Sequence, residues 1–194
     1  MIIITGASRG IGKFLFEHYE QLDLTVVGTY NNTITAKSDR LYKIDINDYN
    51  AVNCWINSLE DKLNNIILIN CAAKNYNSFA HKVDMLKWRS VIETNLFGTF
   101  NLINAVLPHM RKQNYGRIIN FASVTAQVPT PAISAYAASK SALWGLTKSI
   151  AIECGKHNIT INNINLGYSE LGMINEVPNE FLNQILQKIP SHTL

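Results

Sequence analysis

The sequence predicts an α/β fold, a doubly wound parallel sheet of the Rossmann-like kind, built as three α/β/α layers. Three observations carry that prediction. Short β-branched apolar runs alternate with longer amphipathic stretches, as in successive βαβ units. The strand candidates are near-continuous apolar runs, expected where both faces of a sheet are covered. A glycine-rich turn follows the first strand and opens the first helix.

Taken in order, Ile2-Ile3-Ile4 is a strand, and residues 12–22 form a helix with Phe14, Leu15 and Phe16 among its buried candidates. Strands follow at 24–29 and 41–44, then a helix at 49–63 and a strand at 66–69. Helices are expected at 84–93 and 95–113, a fifth strand at 117–121, a long helix at 134–156, a sixth strand at 159–164 and a last helix at 179–188. Roughly ten residues separate the second and third strands, barely enough for a crossover helix, so a single turn or none is expected there.

The 194 residues, 47% hydrophobic and 16% charged, suit one domain, 1–194, that buries a core without disulfides or a structural metal. There is no internal repeat or linker. Net charge is a mild +3 with Lys and Arg scattered, so nothing calls for nucleic acid or an anionic membrane. No apolar run is long enough to span a bilayer, and the first residues lack the marks of a signal peptide. Cys54, Cys71 and Cys154 have neither CxxC nor zinc spacing and read as reduced thiols of a cytoplasmic protein. The five histidines form no ligand pair, so no metal is expected.

Between the first strand and first helix stands Thr5-Gly6-Ala7-Ser8-Arg9-Gly10-Ile11-Gly12. Glycines there permit a tight turn and let backbone approach a pyrophosphate, while the helix N-terminus offers unpaired N–H groups and a positive dipole end. The competing reading is a strand-helix turn without a ligand. Further on, Tyr136 and Lys140 are four residues apart in a helical stretch and share one face. An ammonium beside a phenol favours phenolate and lowers its pKa from about 10. With eight tyrosines, about half such a pair is expected by chance, so the spacing alone carries little. Ser123 adds weight, since it follows a strand at the carboxyl edge of the sheet, where its hydroxyl can polarise a carbonyl oxygen. Asn95 stands at an expected helix start, where a simple N-cap is the competing role.

The TGxxxGxG spacing together with Asn95, Ser123, Tyr136 and Lys140 resembles the short-chain dehydrogenase/reductase family in its classical branch. The likeness covers residues 2 to about 173 and is closest in flavour to 3-oxoacyl-acyl-carrier-protein reductase. It implies hydride transfer between a nicotinamide and a carbonyl/alcohol carbon of a small molecule. By that resemblance Tyr136 is the general acid/base, Lys140 tunes it and holds the nicotinamide ribose, Ser123 positions the substrate oxygen, and Asn95 fixes a relay water. Cofactor contacts are implied at Gly6, Ser8, Arg9, Gly10, Ile11, Gly12, Asp45, Ile46, Asn70, Ala72, Ala73, Tyr136, Lys140 and Gly167. Cys71 and Ala73 depart from the family's Asn-Asn-Ala-Gly.

No acid stands at the end of the second strand (Gly28-Thr29-Tyr30-Asn31-Asn32) to bind a ribose 2′-OH, and Arg9 lies in the phosphate loop. Both favour NADP(H), with NAD(H) as the other option. Leu166 and Leu171 stand where the family has Pro and Thr, which bears on nicotinamide orientation. Region 166–190 matches the family's substrate lid, with Met173, Ile174, Val177, Phe181 and Leu182 as apolar candidates, and simple helix packing as the competing reading. About six strands are expected, with the family's C-terminal strand missing. The chain is then a portion of something longer, a natural short form, or covered by a partner at the exposed strand 159–164. The helices 95–113 and 134–156 match the family's dimer surface, implying a homodimer or a tetramer built from it. A carrier-protein partner would favour basic surface at the mouth, with Lys87, Arg89 and Arg111 as candidates. The rival reading is a cofactor-binding protein without turnover, acting as a redox sensor or scaffold.

Overall fold

Alternation along the strands sorts their side chains onto two faces, and this sorting builds the molecule. The computed structural model describes residues 1–33, 38–128, 130–171, 174 and 179–193. Its strands are β1 (Ile2–Thr5), β2 (Val26–Tyr30), β3 (Leu41–Lys43), β4 (Ile67–Asn70), β5 (Gly116–Ser123) and β6 (Ile159–Leu166). All pair parallel in the order β3-β2-β1-β4-β5-β6. The helices are α1 (Gly10–Gln21), α2 (Tyr49–Ser58), α3 (Met85–Ile92), α4 (Thr99–Gln113), α5 (Ser134–Cys154) and α6 (Asn179–Lys188).

On one face, Ile3, Val27, Leu68, Ile118, Ile159 and Ile161 pack against Val52, Trp55 and Ile56 of α2, Leu102, Val106 and Met110 of α4, and Ile150 and Cys154 of α5. Complete burial of a side chain such as Ile3 or Leu102 contributes roughly 2 kcal/mol. On the other face, Ile2, Ile4, Val26 and Ile69 pack with Ala7 and Phe16 around α1. Toward β6 that second face is thinly covered among the described residues, and Thr160, Asn162 and Ile164 are exposed.

Three expectations are corrected. Phe14 is exposed, because Gly12 and Phe16 set the buried stripe of α1 and Phe14 points half a turn away. The helix expected at 49–63 ends at Ser58 and gives way to a single 3₁₀ turn, Glu60–Lys62. The helices expected at 84–93 and 95–113 are one unbroken run, because nothing between them breaks a helix. Its middle, Glu93–Gly98, is a π-turn, and Gly98 keeps helical dihedrals. Between β2 and β3, residues 34–37 lie outside the described set.

Local chemistry explains the ends. Asp48 caps α2 by accepting from the Ala51 N–H at 3.0 Å, and Asp84 caps α3 by accepting from Leu86 and Lys87. Asn114, in the left-handed region at φ 52°, closes α4. The order reverses between β1 and β4, so the loops after these strands part and leave a crevice at their carboxyl ends.

Candidate active site

The crevice is walled by the glycine-rich loop. Thr5 ends β1 and its Oγ1 accepts from the Cys71 and Ala72 N–H groups at 3.1 and 3.0 Å, tying the ends of β1 and β4 together. The Ala7 N–H donates to the Thr29 carbonyl at 2.8 Å and pins the loop to β2. Gly6 and Gly10 have φ of 66° and 54°, a region unfavourable for side-chain-bearing residues. A Cβ on Gly6 would lie 2.8 Å from the Ala72 Cα, and one on Gly12 would run into the Gly6 carbonyl. The first turn of α1 carries no acid, and its positive end faces the crevice.

The resulting cleft, about 490 Å³, is lined by Gly6, Ser8, Arg9, Gly10, Ile11, Gly12, Asp45, Ile46, Ala72 and Ala73, together with Tyr30, Asn31, Asn32, Thr33, Cys71, Lys74, Thr94 and Leu171. Ten expected cofactor residues therefore meet around one cavity. This cradle fits an extended nucleotide: Gly6 and Gly12 let the loop pack tightly on Ala72 and on itself, bringing backbone to the cleft wall, and a helix N-terminus faces it. Asn70 is placed differently. Its side chain turns into the core below the cleft, and its Nδ2 donates to Asn120 Oδ1 at 2.8 Å. Gly167 is exposed beyond β6, with open space where a Cβ would stand. Met173 and Val177 and the side chain of Phe181 lie outside the described residues, whereas Ile174 is buried.

The four chemically active candidates converge beside the cleft. Ser123 ends β5, buried, and its Oγ accepts from the Thr125 N–H at 3.2 Å and the Thr125 hydroxyl at 2.9 Å. The Tyr136 phenol stands near enough to the Ser123 hydroxyl for that group to act on its acidity. Lys140 is buried, and its Nζ donates to the Phe121 carbonyl at 2.6 Å and lies 5.6 Å from the Tyr136 ring centroid. Asn95 is fully buried in the π-turn rather than capping a helix start. Its Oδ1 accepts from the Lys74 N–H at 2.8 Å, and its Nδ2 donates to the Lys74 carbonyl at 2.9 Å and to Ser139 Oγ at 3.0 Å. π-turns recur at functional sites, and this one aims Asn95 at α5.

Burial dominates the electrostatics. It pushes the Tyr136 phenol above its ordinary value of 10.0, opposed by the Ser123 hydroxyl. The expected depression by Lys140 is not what this structure shows, because the ammonium is turned to the Phe121 carbonyl. Burial also draws Lys140 from 10.5 down to about 8, opposed by Cys71, whose own thiol burial pushes up. Two residues were missed in the sequence. Ser139 bridges Asn95 and the Tyr136 carbonyl, to which it donates at 2.7 Å, and Thr5 ties the strand ends together. Ser139 was legible as the residue three beyond Tyr136, on the same helix face. Arg111, a proposed mouth residue, lies in the last turn of α4, at the opposite end of the sheet from the cleft, while Lys87 and Arg89 are exposed on α3.

A family model described as short chain dehydrogenase matches residues 1–180. An acetoacetyl-CoA reductase of Paracoccus denitrificans is 33% identical over 97% of this chain and 81% of that protein. A 3-oxoacyl-[acyl-carrier-protein] reductase of Staphylococcus aureus is 31% identical over 97% of this chain and 82% of its own. Among solved structures, ElxO with NADP bound superposes with a TM-score of 0.88 at 25% identity, covering 100% of this chain and 84% of that one.

Proposed function

This chain belongs to the short chain dehydrogenase family, as an oxidoreductase of carbonyl and hydroxyl groups with a nicotinamide cofactor, and from that premise we propose that it is an NADP(H)-dependent reductase of a 3-oxoacyl thioester. One observation carries the reading: Ser123, Tyr136, Lys140 and Asn95 form a connected, largely buried group against the glycine-walled cleft. When bound, the cofactor supplies or accepts the hydride. The remaining work falls to side chains. The Ser123 hydroxyl, held by Thr125, donates to the substrate oxygen. The Tyr136 phenol, protonated at neutral pH, delivers a proton to that oxygen as negative charge develops. Lys140 and the Lys74 backbone, positioned by Asn95, shape the cofactor side of the site.

Preference for NADP(H) is supported by Arg9 on the cleft wall and by Tyr30, Asn31 and Asn32 where an acid would repel a 2′-phosphate. A relative that binds NADP shares the fold. The thioester reading rests on the named activities of the relatives at 33% and 31% identity. Residues 166–190 serve as the substrate lid, supported by Leu171 on the cleft wall. A two-fold homodimer through 95–113 and 134–156 is supported by Phe97, Phe100 and Ile152, which stand exposed on those helices. No described helix is long and apolar enough to cross a membrane, and the three cysteines are free, which supports a place in the cytoplasm. Leu171 in the cleft also favours the rival, a binding protein without turnover.

Tyr136→Phe decides between them. Turnover of acetoacetyl-CoA with NADPH is expected to fall by about 10²–10⁴-fold with nucleotide affinity within about two-fold. Turnover near the unmutated rate would defeat the acid/base assignment. A chain that binds NADPH and reduces no 3-oxoacyl thioester would leave the rival standing.

A further inference from the structure

The contact between α5 and β6 changes character along its length. Away from the active site it is apolar, with Ile150 and Cys154 packed near Ile159 and Ile161. In the half nearer the active site it is polar. Asn163 Nδ2 donates to the Leu143 carbonyl at 3.2 Å, and the Thr147 hydroxyl donates to Asn163 Oδ1 at 2.7 Å. Two residues further along the strand, on the same face, Trp144 Nε1 donates to Asn165 Oδ1 at 3.2 Å. The chain of bonds continues inward. Asn120 Nδ2 donates to Thr147 Oγ1 at 3.1 Å, and Asn70 Nδ2 donates to Asn120 Oδ1 at 2.8 Å. Asn70, Asn120 and Thr147 are all buried. Four side chains on β4, β5, β6 and α5 thus form one directed ladder, with each donor and acceptor role set by its neighbour.

We infer that Asn163 and Asn165 are positioning residues that clamp the active-site half of α5 to β6 and thereby hold Tyr136 and Lys140 in register with Ser123 and the cleft. The inference rests on the catalytic reading of those residues. β6 is the outermost strand of the described sheet, and Thr160, Asn162 and Ile164 on its second face are exposed, so among the described residues that side does little to hold it. Apolar contact alone lets a helix shift along its axis, because it is non-directional. Hydrogen bonds have preferred lengths and angles, so they fix both height and rotation. The clamped residues 143, 144 and 147 lie one to two turns below Lys140 and two to three below Tyr136. The bond from Lys140 Nζ to the Phe121 carbonyl requires that height, and so does the nearness of the Tyr136 phenol to Ser123.

The test measures steady-state turnover of acetoacetyl-CoA with NADPH, its pH dependence in the reverse direction, and NADPH binding. The chains compared are Asn163→Ala, Asn165→Ala, Thr147→Val, Thr147→Ser and Tyr136→Phe, with Ile159→Val as a control for simple loss of stability. Asn163→Ala and Thr147→Val are expected to lower kcat between about ten- and a hundred-fold, since displacements near 1 Å have such effects. NADPH affinity should stay within about three-fold, because the phosphate loop is carried by β1 and α1. The midpoint of the alkaline rise in alcohol oxidation should move up, because the effect of the Ser123 hydroxyl, which lowers the Tyr136 pKa, is weakened. Thr147→Ser, which keeps the hydroxyl, should restore kcat and midpoint together. Asn165 is exposed, so Asn165→Ala gives a folded chain with a smaller effect of the same sign even where Asn163→Ala fails to fold. Unchanged kcat and midpoint in folded Asn163→Ala or Asn165→Ala overturn the inference, as does an equal midpoint shift in Ile159→Val. Full turnover in Tyr136→Phe instead overturns the catalytic reading, so the two failures are told apart.

Discussion

Replacing Lys140 by Met should make the protein more stable at neutral pH while removing its turnover. Lys140 is buried, and burial draws its pKa from 10.5 to about 8. At 1.36 kcal/mol per pH unit, keeping the ammonium charged in the fold at pH 7 costs about 3 kcal/mol relative to the unfolded chain. Met fills similar volume without charge. It also loses the bond from Nζ to the Phe121 carbonyl, a loss of about 1–2 kcal/mol. The net expectation at pH 7 is a gain of about 1–2 kcal/mol. The sign reverses with pH. Between pH 8 and 10.5 the unfolded chain binds more protons at this site than the folded chain, so the unmutated protein gains stability through that window. Near pH 10.5 it is neutral and still hydrogen-bonded, and the variant becomes the less stable by about 1–2 kcal/mol. Urea unfolding of both chains at pH 7, 9 and 10.5, without nucleotide, measures the difference. A variant less stable by the same amount at every pH would refute the reasoning, since Lys140 would then carry no burial cost.

Three further outcomes follow from the geometry. Gly12→Ala drives a methyl into the Gly6 carbonyl, and NADPH affinity, read by quenching of the native tryptophans, should fall more than about a hundred-fold. Arg9→Glu should weaken NADPH more than about ten-fold while leaving NADH within about three-fold, and an equal loss for both would remove Arg9 from 2′-phosphate selection. Ser139→Ala leaves the buried Asn95 Nδ2 without its Ser139 partner, so thermal unfolding should show a loss of about 1–2 kcal/mol, with kcat lowered as Asn95 loses its tie to α5.

Much of the site was legible because its chemistry is local. The glycine turn between Ile4 and Phe16 states its conformation in its own composition, and ten of the expected cofactor residues line one cleft. Tyr136, Ser139 and Lys140 share a helix face by spacing alone. Asn95 was legible as a residue but not as a geometry. A π-turn has no compositional signature in Glu93-Thr94-Asn95-Leu96-Phe97-Gly98, and its value lies in reaching Lys74 and Ser139, twenty-one and forty-four residues away. Asn70 shows the converse: its position is local, but its direction into the core depends on Asn120 across the sheet.

The sequence by itself determined the order of elements, the parallel sheet, the glycine-rich turn and the residue types of the proposed acid/base group. These follow from hydrophobic period, turn chemistry and spacing within one helix, all properties of neighbours along the chain. Only the tertiary structure decided how strongly burial acts on Tyr136 and Lys140, where Arg111 lies relative to the mouth, and that Asn70, Asn120, Thr147 and Asn163 form one ladder. Those properties arise from groups far apart in the chain brought within about 3 Å, where desolvation and directional hydrogen bonds act on distance in space rather than on distance in sequence.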